Sequence, residues 1–175
     1  MSNDRKYIKK AAFTAVMAAL GCVLAYVPRL FSADGAARLD LAILPILLVA
    51  QMCGPLWSGA GYVLTDLVGC LFSGYAPFFP ITVCKLVAGV LLGFGAYQRK
   101  FTDMRFFLSL VFVAAVVDFG MMSVALRWLQ GRPWVYYMWV RPLTAVMNLA
   151  VRALFAPALA KAAAVPLARM KKHFE

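Results

Sequence analysis

Six runs of apolar residues, separated by short polar or Gly- and Pro-containing breaks, restrict the fold of this chain more than any other feature. A helix needs about 20 apolar residues to cross a bilayer, and only helices and closed barrels satisfy their backbone polar groups there. Hydrophobic residues make up 64% of the 175 positions, unlike a soluble globular domain. The runs cover about residues 8–27, 39–53, 56–72, 80–97, 105–129 and 137–159. They predict one all-α domain over residues 1–175, an integral membrane bundle of six transmembrane helices.

The formal net charge of +11 could indicate either a nucleic-acid partner or basic residues on the cytoplasmic side of a membrane protein. The cations fall into three groups: Arg5, Lys6, Lys9 and Lys10; Arg99, Lys100 and Arg105; and Lys161, Arg169, Lys171 and Lys172. Positively charged segments flanking membrane helices stay in the cytoplasm. Six helices then place both termini in the cytoplasm and all three groups on the cytoplasmic side of the cell membrane. The sequence contains no basic helix with interleaved aromatic residues, the pattern that would indicate a nucleic-acid partner.

Residues that usually build catalytic or metal sites are scarce. The four cysteines occur singly, without CxxC spacing, and the one histidine, His173, lies in the basic tail. No Walker A motif is present, so the chain cannot use ATP by itself. We therefore expect no enzyme activity, no metal and no cofactor.

A strip of small residues follows the first predicted helix. Ala15 lies four residues after Ala11, and Ala18 and Ala19 lie three and four residues after Ala15, steps that place them along one side of a helix. Small residues let another helix approach closely. The strip either packs inside the bundle or docks a partner protein.

Five charged residues lie four or more positions from either end of an apolar run: Asp66, Lys85, Asp118, Arg141 and Arg152. A charge at this depth costs at least about 2.5 kcal/mol unless it is paired or wetted. Asp66, Lys85 and Arg141 all lie toward the outer side and could share an outward-opening cavity. The alternatives are structural ion pairs, such as Asp118 with Lys85 or Arg152, and cations that extend to the interface.

Aromatic residues cluster near the same outer end, and they include Tyr75, Phe78 and Phe79 in the Pro-rich segment before the fourth run. An interfacial belt explains most of them. A flat heteroaromatic ligand would also use such rings, together with a carboxylate for its donor edge and arginines for an acid group.

Several motifs resemble those of the substrate-binding S components of energy-coupling factor (ECF) vitamin transporters, and within them the folate-type branch. They are Arg38-Leu-Asp40, Leu44-Pro45-Ile46, Gly54-Pro55-Leu56-Trp57-Ser58-Gly59, Thr65-Asp66-Leu67-Val68-Gly69, the Gly89 and Gly93 pair, Arg141, and the Ala11, Ala15, Ala19 strip. The resemblance covers nearly the whole length.

The resemblance implies a six-helix subunit that binds one vitamin near the outer side, with folate expected. The helix 1 alanines would dock onto a transmembrane scaffold subunit, and two cytoplasmic ATPases would supply energy. Implied ligand-binding residues are Arg38, Asp66, Tyr75, Phe78, Phe79, Lys85, Asp118 and Arg141. Asp66 or Asp118 would accept hydrogen bonds from the amino edge of the folate pterin. Arg141, Arg38 or Lys85 would bind the carboxylates of the folate glutamate.

Two departures bear on the choice of ligand. The folate-type loop Tyr-Phe-Pro-Gly-Phe-Thr is replaced by Tyr75-Ala-Pro-Phe-Phe-Pro80, and Thr144 stands near the place of an expected lysine. Alternative ligands are pantothenate, riboflavin, a pyridoxine-like compound or a queuosine precursor. Alternatives of other classes are a small membrane enzyme with a metal between Asp66 and Asp118, and a purely structural subunit.

Overall fold

Six helices form the computed structural model, which describes residues 2–29, 39–74, 76–97 and 103–174. Among these residues, the side chains of 2, 3, 26–29, 73, 156 and 159–174 are not described. The helices are α1 Ser2–Arg29, α2 Ile43–Cys53, α3 Pro55–Ser73, α4 Phe79–Ala96, α5 Met104–Gln130 and α6 Trp134–Phe174. The described part contains no strand. The predicted all-α bundle of six helices is therefore confirmed.

The terminal helices extend beyond the apolar runs that predicted them. α1 begins at Ser2 and α6 ends at Phe174, because lysine, arginine and alanine favour helix almost as well as leucine does. Length and apolar composition allow three described helices to cross a membrane: Asp4–Ala25 of α1, and all of α4 and α5. Hydrophobicity marks the part of a helix that can lie in lipid, and does not mark the helix ends.

The short helix α2 forms the centre of the bundle. Its residues from Ile43 to Ala50 are all buried. Eleven residues give a helix of about 16 Å, roughly half the thickness of the hydrocarbon core. The non-helical residues just before it, including Asp40, therefore lie at membrane depth, where such backbone is tolerated when protein buries it or when it lines a cavity.

Helices α3 and α4 pack closely because glycines face each other. A Cβ added at Gly89 would lie 2.7 Å from the Ser58 carbonyl oxygen and 2.8 Å from the Gly59 Cα. The Ser58 hydroxyl donates a hydrogen bond of 2.7 Å to the Gly89 carbonyl. Three contacts, each about one turn from the next, then join the helices in antiparallel order: Ser58 with Gly89, Tyr62 with Lys85, and Asp66 with Thr82. This register positions the polar groups of the site.

Candidate functional site

A cavity of about 140 Å³ lies between the helices. Its polar wall is formed by Asp40, Tyr62, Thr65, Asp66, Lys85, Asp118, Arg141 and Asn148. The wall thus contains Asp66, Lys85, Asp118 and Arg141, four of the candidate residues named from the sequence. Asp40, Tyr62 and Asn148 were not among the candidates.

Lys85 is held by two groups of the protein. Its ammonium forms an ion pair with the Asp40 carboxylate and donates a hydrogen bond of 3.1 Å to the Tyr62 hydroxyl. The Tyr62 hydroxyl in turn donates to Asp40. Lys85 Nζ also lies 4.6 Å from the centre of the Tyr62 ring, within the range of a cation–π contact. The charge of Lys85 is therefore already neutralised.

Asn148 fixes the residue that pairs with this lysine. Its side-chain oxygen accepts a hydrogen bond of 2.9 Å from the backbone N–H of Asp40. The contact ties the segment before α2 to α6 and satisfies a backbone donor that has no helical partner. Asp40 is thus held by α3, α4 and α6 together.

Asp118 forms the second ion pair of the site. Its Oδ2 lies 2.7 Å from Nη1 of Arg152, whose side chain is only 1% exposed. The sequence allows this pairing as an alternative to one with Lys85. Asp118 belongs to Ala114–Met121, a π-helical segment within α5.

Two charged residues on the wall have no charged partner within ion-pair distance in the described structure. Asp66 accepts a hydrogen bond of 2.9 Å from the neutral Thr82 hydroxyl. Arg141 is 7% exposed, and its Nε has no hydrogen-bond partner among the described residues. The cavity thus offers one carboxylate and one guanidinium to a ligand.

Comparisons with known proteins assign this chain to a family. The family profile described as "ECF transporter, substrate-specific component" matches residues 9–166. The chain belongs to this family. The resemblance seen in its motifs is confirmed, and the protein is an S component that crosses the cell membrane several times.

Two similar proteins carry the name FolT. The chain is 25% identical over 96 residues to "Folate transporter FolT" of Clostridium novyi (strain NT). That match covers 54% of this chain and 56% of the relative, so it spans only about half of either protein. In fold the S component is similar to the "Crystal structure of FolT bound with folic acid", with a TM-score of 0.70 and 23% identity, over 85% of this chain and 90% of that chain.

The alanines of α1 in this S component face two directions. Ala11, Ala15 and Ala19 are exposed. Ala18 is 5% exposed, and its carbonyl accepts a hydrogen bond of 3.3 Å from the Thr65 hydroxyl of α3. A spacing of four residues keeps the other three on one side, whereas Ala18 is rotated toward the bundle. The predicted docking position of Ala18 is corrected accordingly: it belongs to the internal packing.

The remaining candidates do not reach the cavity wall in the described structure. Phe79 is 77% exposed at the start of α4, and Phe78 is half-buried and does not line the cavity. Both fit an interfacial belt better than a stacking platform. Arg38 and Tyr75 lie outside the described residues. Among the described residues, the aromatic ring on the wall is that of Tyr62.

Thr144, which stands near the place of the expected lysine, is directed toward its own helix. Its hydroxyl donates to the carbonyls of Val140 and Arg141, at 3.1 and 2.9 Å. It therefore does not replace a cation. No group of three His, Cys, Asp or Glu side chains in the described part of the chain could hold a metal ion, which leaves the metal-dependent alternative without a ligand set there.

Proposed function

We propose that this S component captures folate in the cavity between α3, α4, α5 and α6. The observation that carries the proposal is Arg141, a buried guanidinium on the cavity wall without an ion-pair partner in the described structure. A buried cation of this kind is costly unless an anion binds it, and folate carries a glutamate with two carboxylates. The names of the two similar proteins support the same ligand.

The other wall residues suit the opposite end of folate. Asp66 accepts only a neutral hydrogen bond from Thr82 and keeps acceptor capacity for the amino edge of the pterin. The Tyr62 ring on the wall offers an aromatic edge or face. A ligand carboxylate would reach Lys85 only in competition with Asp40. Arg38 remains a proposed second partner for the glutamate.

Binding of purified protein to a set of vitamins tests the proposal. Folate, thiamine, riboflavin, pantothenate and pyridoxine are each titrated against the wild-type chain in detergent. Arg141→Gln is expected to weaken folate binding by at least about ten-fold, as expected for the loss of a charge-assisted hydrogen bond. Arg105→Gln is the matched control, because Arg105 is an exposed residue at the opposite end of the bundle. If folate binds weakly and another vitamin of the set binds tightly, that vitamin replaces folate as the proposed ligand.

We further propose that the whole chain acts as one substrate-binding domain that docks through Ala11, Ala15 and Ala19. Exposed small residues let a neighbouring helix approach closely. The partner implied by family membership is the transmembrane ECF scaffold, which in turn carries two cytoplasmic ATPases. The S component itself would then be a binding subunit and not an enzyme.

A further inference from the structure

The ion pair behind the cavity is asymmetric. Asp118 lines the cavity and its side chain is 15% exposed, whereas Arg152 lies behind it and is 1% exposed. The pair therefore presents its carboxylate to the cavity and hides its guanidinium.

Arg152 forms its ion pair with this carboxylate. Its Nε, Nη1 and Nη2 form no hydrogen bond to the described residues, so the ion pair between Nη1 and the Asp118 carboxylate is the close polar contact described for the guanidinium. Buried ion pairs of this kind contribute little net stability, and well-packed apolar residues often replace them without loss. Stability alone does not explain the pair.

A second guanidinium of α6, that of Arg141, lines the same cavity as Asp118. Arg141 lies on the side of α6 that faces the cavity, about three turns from Arg152 toward the outer end. Asp118 therefore has one arginine in ion-pair contact and a second arginine on the same cavity wall. If Asp118 turned to Arg141, the site would lose its one unpaired cation.

We propose that Arg152 is a positioning residue that holds Asp118 and thereby keeps Arg141 available to an acidic group of the ligand. Together with Asp40 and Lys85, the pair divides the charges of the cavity into two self-neutralised pairs and two groups directed at the ligand, Arg141 and Asp66. This inference rests on the proposed function, because it requires an acidic ligand. It also selects Asp66, and not Asp118, as the acceptor for the donor edge.

Equilibrium binding of folate and of folate dimethyl ester to four forms of the full chain tests the inference. The forms are wild type, Arg152→Met, Arg152→Lys and the double variant Asp118→Asn with Arg152→Met. Arg152→Met should weaken folate binding by about ten-fold or more, the range for losing one hydrogen bond to a charged group. The neutral ester should be affected much less. Arg152→Lys keeps the charge and should bind folate close to wild type.

The double variant separates positioning from a structural role. Removing the Asp118 charge in the Arg152→Met background frees Arg141 again, so most of the folate affinity should return. Thermal unfolding without ligand is measured beside each titration. Equal losses for folate and ester, or a double variant that binds as poorly as Arg152→Met, would overturn the inference. If the wild type binds no folate, both the proposed function and the inference are refuted. That outcome differs from one in which the wild type binds folate and only the variants lose affinity.

Discussion

Replacing Gly89 by alanine tests whether the glycine contact between α3 and α4 holds the site together. Alanine normally stabilises a helix by about 1 kcal/mol relative to glycine. At Gly89 the new methyl would lie 2.7 Å from the Ser58 carbonyl oxygen and 2.8 Å from the Gly59 Cα, both backbone atoms. Such overpacking costs about 1–3 kcal/mol, and separation of the helices weakens the Ser58 to Gly89 hydrogen bond by about 1 kcal/mol more. The net expectation is destabilisation by about 1–3 kcal/mol.

The control for this substitution is Gly120→Ala in α5. A methyl there meets only the Ala115 carbonyl oxygen at 3.7 Å, an ordinary contact, so the helix preference should remain as a small gain. A thiol-reactive fluorophore reports unfolding through the buried Cys53 and Cys84. Gly89→Ala should lower the unfolding midpoint by several degrees, at about 2–4 °C per kcal/mol for a chain of this size. A Gly89→Ala protein as stable as Gly120→Ala would refute the reasoning.

Three further predictions follow from the contacts of the site and of α1. Lys85→Met leaves Asp40 unpaired at membrane depth and should destabilise the protein by about 3–5 kcal/mol in thermal unfolding; adding Asp40→Asn should restore most of the loss, and no recovery would mean that the pair is not coupled. Thr82→Val removes the donor to Asp66 and should change folate affinity by about five-fold with little change in the unfolding midpoint. A clear change in the unfolding midpoint beside the change in affinity would indicate a structural role. Ala15→Trp should keep folate affinity but prevent co-purification with the scaffold subunit, whereas Val146→Trp on the exposed side of α6 should not; unchanged complex yield for Ala15→Trp would place the interface elsewhere.

The sequence was sufficient to predict the number of helices and part of the cavity wall. Helix length and the direction of each crossing placed Asp66, Lys85 and Arg141 at similar depth, and the structure brings them to one cavity. The cost of a charge in lipid made them visible, because ionic residues are rare in apolar runs.

Other parts of the site could not be predicted because they depend on packing. Tyr62 has the sequence context of an ordinary core aromatic, and only the register of α3 against α4 brings its hydroxyl to Lys85. Asp40 precedes a helix too short to cross the membrane, so it lies deeper than the start of an apolar run suggests. Asn148 could not be predicted because an uncharged amide inside a helix carries no distinctive signal.

The π-helical segment around Asp118 has a consequence for how related sequences are compared. Its turns contain more residues than ordinary α turns, because each N–H reaches back to the fifth residue and not the fourth. A relative with one residue fewer in α5 can close this segment into regular α-helix and still keep the contacts on either side. The alignment gap then belongs inside a transmembrane helix and not in a loop.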